Sequence, residues 1–259
     1  MAQPSVLERR ESILDVLHRK GRVMVRELSE LTGVSEATVR RDLRVLGRAN
    51  ELDLVHGGAV MRKPSEQSLA SRASRNRESK AVIGQLAGAL VADGDLLFLD
   101  PGTTCWEMVP TLRTRKTLSV IVNSTRLAME LGENSDFNVV LIGGHYRPEL
   151  MDCFGPLAAN AIDEVRGYRA FVGADGLSPE FGVSANDIQT AYLFQHVLRN
   201  ARETILLADH SKFAAPSLFK ICDLDAISVV VTDRDPGLEW REQFLKRDIR
   251  LIFPEVPHA

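Results

Sequence analysis

Apolar residues recur at spacings of three and four through the first fifty positions. Leu7, Ile13, Leu14 and Leu17 predict an amphipathic helix over residues 5–20, which Gly21 stops. A short β-prone run, Val23-Met24-Val25, follows. Leu28 and Leu31 then share one side of a second helix over residues 26–32, closed by Gly33. Val39, Leu43 and Leu46 form the buried stripe of a third, with Ser35 placed to cap it through its hydroxyl. Beyond it, Leu52–Val55 and Ala59–Met61 flank His56-Gly57-Gly58, where two glycines permit a tight hairpin.

The rhythm changes after residue 80. Ile83, Leu86, Ala87, Leu90 and Val91 define a helix face, and short apolar runs follow at 96–99, 118–122, 137–142, 170–172, 204–207, 227–231 and 249–253. Helical patterns at 125–132, 156–165, 187–200 and 238–247 separate most of them. Strands alternating with helices predict an α/β fold with a largely parallel sheet covered on both faces. Residues 62–80 are polar and carry six basic against two acidic side chains, the composition of a connector. Arg72, Asn76 and Lys80 recur every fourth residue within it, so a helical segment with one polar edge is the alternative. The expected organisation is therefore a small domain over 1–61, a linker and start of the next domain over 62–80, and a larger domain over 81–259.

Charge sharpens this division. Residues 1–80 hold 16 Lys or Arg against 11 Asp or Glu, whereas residues 81–259 hold 16 against 24. A basic leading part suits a polyanionic partner. Cys105, Cys153 and Cys222 are odd in number and far apart, which argues against a disulfide framework and for a reducing compartment. No His, Cys or carboxylate spacing suggests a metal site, no cofactor motif is visible, and no apolar run approaches the roughly 20 residues that span a bilayer. A cytoplasmic protein without membrane partners is expected.

Two clusters carry candidate chemistry. Two helices joined by a Gly-containing turn, the second bearing exposed cations, predict a helix-turn-helix whose recognition helix enters a major groove. Ser35, Glu36 and Thr38 lie where base edges are read, and Arg40, Arg41 and Arg44 where guanines or phosphates are met. The hairpin that follows is then a wing, with His56 at its tip able to donate to a phosphate. In the larger part, ligands bind beyond the carboxyl ends of parallel strands. Five such ends carry polar loops: Asp100-Pro101-Gly102-Thr103-Thr104, Asn123-Ser124-Thr125, Gly143-Gly144-His145-Tyr146-Arg147, Gly173-Ala174-Asp175-Gly176 and Ala208-Asp209-His210-Ser211-Lys212-Phe213. Gly102, Thr103 and Thr104 at a helix start can receive phosphate oxygens, Arg147 and Lys212 can neutralise a dianion, and Asp100, Asn123, Asp175 and Asp209 can bond sugar hydroxyls. Of the remaining loop residues, His145 and His210 can titrate or bond a phosphate. Trp106 and the helix-borne thiol of Cys105 are expected to pack in the core, and Trp240 to pack a surface helix.

The string ELSELTGVSEATVRRDLRVL followed by VHGGA resembles the amino-terminal signature of the DeoR family of bacterial transcriptional regulators. LDPGTT, IVNSTRLA, GGHYRPE, FGPLA, FVGADG and LLADHSKF resemble that family's sensor domain, and Arg72, Asn76 and Lys80 its start. The resemblance implies a winged helix-turn-helix joined to a Rossmann-like α/β domain similar to ribose-5-phosphate isomerase. It further implies an effector pocket lined by Asp100, Gly102, Thr103, Thr104, Asn123, Gly143, Arg147, Asp209, Ser211 and Lys212. The function expected is repression of a sugar or polyol catabolic operon by a homo-oligomer, a dimer or tetramer, on double-stranded operator DNA, under control of a phosphorylated sugar. Asn50 stands where the family usually has Gly, and Asn also tolerates the left-handed conformation. Asp53 and Leu54 replace a cation often found before the wing tip, and NDIQTAYLFQHVLRN departs from the usual acidic string. The alternative is a sugar-phosphate isomerase with an appended DNA-binding domain and Asp175 as its base.

Overall fold

The computed structural model describes residues 5–48, 51–61 and 69–254; Asn50, connector residues 62–68 and the side chain of Leu7 lie outside them. The chain forms two compact units, Met1–Arg72 and Ala73–Ala259.

In the first unit, α1 (Val6–Lys20) opens with a reciprocal cap in which Ser5 and Glu8 bond each other's backbone N–H, and it stops at Gly21 in the left-handed region. Next come β1 (Arg22–Met24), α2 (Val25–Thr32), α3 (Glu36–Arg48), β2 (Leu52–Val55) and β3 (Gly58–Met61). Ser35 caps α3 as expected, accepting from Thr38 N–H at 3.3 Å. Strands β2 and β3 close over a two-residue turn at His56-Gly57, and β1 adds to the other side of β3. Gly58 is obligatory there, since a Cβ would fall 2.1 Å from the carbonyl oxygen of Val23. Ile13, Leu17, Leu28, Val39, Leu43 and Leu52 close the core of this unit. One expectation fails: Leu31 is 57% exposed. The buried stripe of α2 runs through Val25, Leu28 and Thr32, which rotates Leu31 away from it.

Helix α4 (Leu69–Ser74) precedes α5 (Arg77–Ala89), so residues 77–80 of the polar segment are the first turn of a helix, with Lys80 buried. The second unit then alternates β4 (Leu96–Leu99), α6 (Thr103–Trp106), α7 (Val109–Leu112), β5 (Ser119–Val122), α8 (Thr125–Gly132) and β6 (Asn138–Leu141). A hairpin, β7 (His145–Arg147) and β8 (Asp152–Phe154), leads into α9 (Pro156–Asp163) and β9 (Arg169–Gly173). The rest is β10 (Gly176–Ser178), β11 (Gly182–Ala185), α10 (Ile188–Asn200), β12 (Glu203–Leu207), β13 (Phe219–Cys222), β14 (Val229–Val231), α11 (Leu238–Lys246) and β15 (Arg250–Ile252).

Seven of these strands form one parallel sheet in the order β15-β14-β12-β9-β4-β5-β6. Its two faces carry separate cores, as strand alternation demands. Phe98, Ala170, Val172, Leu206 and Val230 pack with residues of α9, α10 and α11; Leu97, Leu99, Val120, Phe171 and Ile205 pack with residues of α5, α7 and α8. Trp240 lies inside this packing: it is 7% exposed, and its ring meets Phe213 and Phe244. It packs from a helix whose Leu238 and Leu245 are exposed, and the loop after β12 supplies its aromatic partner Phe213. Two small antiparallel assemblies, β7-β8 and β10-β11-β13, accompany this sheet, and the loop strings Gly143–Arg147 and Gly173–Gly176 run into their first strands.

The first unit depends on a charge that its sequence pattern hides. Asp42 follows Arg41 in the basic stretch of α3, yet it is 2% exposed and accepts from Arg9 Nε at 2.7 Å and Arg10 Nε at 2.9 Å, both on α1. Burial pushes its carboxyl pKa up, but the two guanidinium groups outweigh this and hold it below the usual carboxylate range. The pair ties the recognition helix to α1, and the stability it contributes is present above the ordinary carboxylate value and lost as pH falls through the lowered folded value. Asp42→Ala leaves Arg9 without this partner and is expected to cost about 3–5 kcal/mol. Amide hydrogen exchange should then accelerate across residues 6–48 and stay at the parent rate in β4 and β9.

Candidate functional site

Exposure separates the cations of α3 by their place on the helix. The buried residues Val39, Asp42, Leu43 and Leu46 mark one face. At 100° per residue the opposite face is centred on Ala37, Arg41, Arg44 and Arg48, and all four are exposed. Arg41 and Arg44 make no ion pair among the described residues. Glu36 and Arg40 lie on the flank and are paired at 2.8 Å, so Arg40 is less free than its neighbour. Ser35 and Thr38 form the cap, their hydroxyls 3.0 Å apart, and His56 is exposed at the hairpin turn. Ala37, at the centre of the outward face, was not among the candidates because a small apolar residue carries no chemical signal in sequence.

In the second unit, parallel pairing brings the loops after β4, β5, β6, β9 and β12 to one edge of the sheet. Asp100 organises two of them. Its carboxylate accepts the N–H of Gly102 in its own loop and that of Gly173 at the end of β9, the latter at 2.6 Å. Gly102 lets the Asp100 carboxylate fold back on this turn, since a Cβ would sit 2.8 Å from it. Thr103 is buried and Thr104 half-buried at the start of α6, and the Cys105 thiol, fully buried as expected, points its sulfur at the Phe171 carbonyl. Trp106 is half-buried; its indole N–H donates to Glu130 at 2.9 Å and the Arg126 guanidinium lies over its ring.

Asn123 is fully buried at the end of β5. Its amide N–H donates to the Cys153 carbonyl at 3.0 Å, and its Oδ1 has no hydrogen-bond partner among the described residues. Gly143 is exposed, and Asp175 is half-buried and accepts Asn186 N–H at 2.8 Å.

Arg147 departs from the expectation of a cation open to a dianion. Its guanidinium grips Asp152 through two bonds of 2.9 and 3.1 Å and reaches Asp187 at 2.6 Å, while stacking on Phe154 at 3.9 Å. Two carboxylates already balance its charge, and it fastens the β7-β8 hairpin to the start of α10.

Lys212 contrasts with it. It is half-buried, makes no ion pair among the described residues, and sits beside Asp209, which is 2% exposed. Burial raises the Asp209 pKa, but the Lys212 ammonium and bonds from Ser211 and Asn76 outweigh this and hold it low. Ser211 donates its hydroxyl to Asp209 at 2.6 Å and its N–H at 3.0 Å. His210 is held by Asp233, through its N–H at 2.7 Å and Nδ1 at 2.9 Å, whereas His145 is exposed. Asn76 joins this group from the far end of the sequence, donating to Asp209 at 2.9 Å and Ser211 at 3.3 Å. The four-residue spacing of Arg72, Asn76 and Lys80 held the signal, but it reads as one helix edge, whereas Asn76 is a left-handed residue before α5.

A winged helix-turn-helix with a free arginine stripe, followed by a doubly covered parallel sheet with a polar carboxyl edge, defines a DNA-binding transcriptional regulator with an appended α/β domain. The DeoR-like helix-turn-helix domain matches residues 9–65 and the DeoR C terminal sensor domain matches residues 75–234. The chain therefore belongs to the DeoR family of transcriptional regulators.

Its relatives include an HTH-type transcriptional regulator, YulB, of Bacillus subtilis (strain 168), 32% identical over 88% of this chain and 89% of that one. A putative aga operon transcriptional repressor of Escherichia coli O157:H7 is 30% identical over 95% and 93%. The lactose phosphotransferase system repressor of Lactococcus lactis subsp. lactis is 32% identical over 91% and 94%. These relatives are named as regulators, so the isomerase reading is set aside. A D-ribose-5-phosphate isomerase structure overlaps at 16% identity and a TM-score of 0.40, covering 53% of this chain and 54% of that one, too partial to bear on what the chain does. Among the described residues no helix is long and apolar enough to cross a membrane, and no cluster of His, Cys, Asp and Glu is placed to hold a metal ion.

Arg147→Ala is expected to destabilise the second unit by about 3–5 kcal/mol, because it strips a guanidinium partner from the buried Asp152 carboxylate. Arg147→Lys, which keeps the charge without the planar fork, should recover part of that loss. Urea unfolding of the three proteins measures both.

Proposed function

We propose that the chain represses a sugar or polyol catabolic operon, binding double-stranded operator DNA in the cytoplasm as a dimer or tetramer, and that a phosphorylated sugar acts on it through the carboxyl edge of the sheet. One recognition helix and one wing bury too little surface for tight specific binding, so paired half-sites and an oligomer follow. Arg41 and Arg44 meet guanines or phosphates, with Ser35, Glu36 and Thr38 near base edges and His56 near the backbone.

The observation that carries the effector half is Lys212: a half-buried ammonium without an ion pair among the described residues, beside loops rich in N–H groups and hydroxyls. It supplies charge to a phosphate, Thr103 and Thr104 supply hydroxyls, Gly143 supplies backbone, and Gly102 lets its loop approach closely. Asn123, whose Oδ1 has no hydrogen-bond partner among the described residues, is matched to a ligand hydroxyl. Asp100, Asp175 and Arg147 shape the loops through the bonds already described, and Asp209 and Ser211 meet the sugar from the turn after β12. The names of the aga operon and lactose phosphotransferase system repressors support a carbohydrate signal. Control is by linkage: an effector that favours an oligomer geometry with misplaced recognition helices lowers DNA affinity by the same factor that DNA lowers its own.

Fluorescence anisotropy on duplexes from the chain's own promoter region tests this. The protein should bind one duplex selectively, and a member of a panel of sugar phosphates should reverse binding; indifference to the whole panel defeats the effector half. Arg41→Ala should weaken binding by about 1–3 kcal/mol if it reads guanine, or lower the salt dependence if it meets phosphate. Lys212→Met should leave DNA binding intact and weaken the effector by about 1.5–3 kcal/mol.

A further inference from the structure

The first residues of the second unit are bonded to the turn after β12 at two points. Asn76 donates from Nδ2 to Asp209 Oδ1 at 2.9 Å and to Ser211 Oγ at 3.3 Å. The two oxygens of Asp233, just after β14, hold the N–H and Nδ1 of His210 in the same turn. The turn His210–Phe213 is a single 3-10 turn capped by Asp209 and held by these polar bonds, by the Phe213 ring against Trp240 and Phe244, and by packing on β10. Asn76 itself has φ 51° and ψ 38°, a left-handed residue between α4 and α5. Any covalent path from the second unit back to residues 1–72 runs through it. The backbone at this point is fixed by a residue whose side chain is bonded to the turn that the proposed function places against the effector.

We infer that Asn76 is the positioning residue that couples the 209–213 turn to the start of α5, so that a change in the turn is felt where the chain leaves the sensor. This rests on the effector reading for its purpose but not for its existence, because the coupling is a property of the ligand-free chain. The backbone and the amide are separable. Glycine accepts φ 51° without strain, so Asn76→Gly removes the two side-chain bonds and keeps the conformation, whereas Asn76→Ala also loses the left-handed preference. Asn76→Asp keeps the shape but sets a carboxylate against that of Asp209 and should exceed Asn76→Gly in effect.

Amide hydrogen exchange on the full-length chain without ligand tests the coupling in both directions. Asn76→Gly should speed exchange at residues 209–213 by about fivefold or more, and Ser211→Ala should speed it at residues 77–80 to a similar degree, since coupling is reciprocal. Parent rates in either direction overturn the inference.

Operator anisotropy with a pentose 5-phosphate, a hexose 6-phosphate and inorganic phosphate gives a second reading. Where a probe changes the parent's DNA affinity, Asn76→Gly should shrink that change about fivefold while ligand-free DNA affinity stays within about twofold. A full-sized change in Asn76→Gly overturns the role of Asn76. A parent that ignores every probe while the exchange coupling holds defeats the sugar-phosphate reading and leaves Asn76 as the link.

Discussion

Parallel strands must all be re-entered from the same end, and this constraint shapes the second unit. Each crossover needs a helix or long loop on a face of the sheet, so both faces are covered and both must be apolar. Phe98 and Leu99, adjacent in sequence, accordingly fall into different cores. All the loops that leave the sheet's carboxyl ends are gathered on one edge and all those that enter it on the other. The entry edge is closed by charge: Arg169 bonds Asp95, Glu203 and the Leu90 carbonyl, and Arg202 reaches Asp95. The exit edge holds small residues, hydroxyls and backbone N–H groups, with Lys212 making no ion pair among the described residues. The same topology thus makes one edge a fastening and the other a surface that can accept a ligand.

Arginine does opposite work in different places, and its partners decide which. Arg9, Arg10, Arg147 and Arg169 are each matched to carboxylates that are buried or half-buried, and they join elements distant in sequence. Arg41 and Arg44 stand exposed along one helix face. Breaking the first kind strands a charge away from water, a stability effect. Removing the second kind changes only what the surface can bind. The basic balance of the leading eighty residues therefore overstates the charge available to a polyanion, because Asp42 consumes part of it internally.

Periodicity made the large elements legible. The recognition helix, its cap at Ser35, the hairpin and all seven strands of the main sheet follow from apolar spacing and glycine placement, because burial on one face or two leaves a direct trace in sequence. Strands β10, β11 and β13 left none: they are three or four residues long, and β13 joins β11 from about 40 residues further along. The β7-β8 hairpin was hidden by its polar exterior, with its order supplied by Arg147. Asn76 and Asp233 were illegible as neighbours of Asp209 and His210 because a side-chain bond between loops, across 133 residues for Asn76 and 23 for Asp233, has no period. Sequence gives the scaffold of the exit edge; which of its polar groups are already satisfied is a three-dimensional fact.

That last distinction bears on how a phosphorylated sugar would act. Asp100, Asp175 and Arg147 have their bonds within the protein, so a ligand gains little by competing for them. On the sugar-phosphate reading a phosphate would add to the Lys212 ammonium, which makes no ion pair among the described residues, without breaking the bonds of Asn76. Sugar hydroxyls would differ, because on the proposed function they meet Asp209 and Ser211, whose bonds to Asn76 must then be kept, shared or exchanged. Under the sugar-phosphate reading, the anion supplies affinity and the hydroxyl pattern supplies the difference between states. Only that difference can shift an equilibrium, which is why an effector of this site would be distinguished from inorganic phosphate by its carbohydrate half.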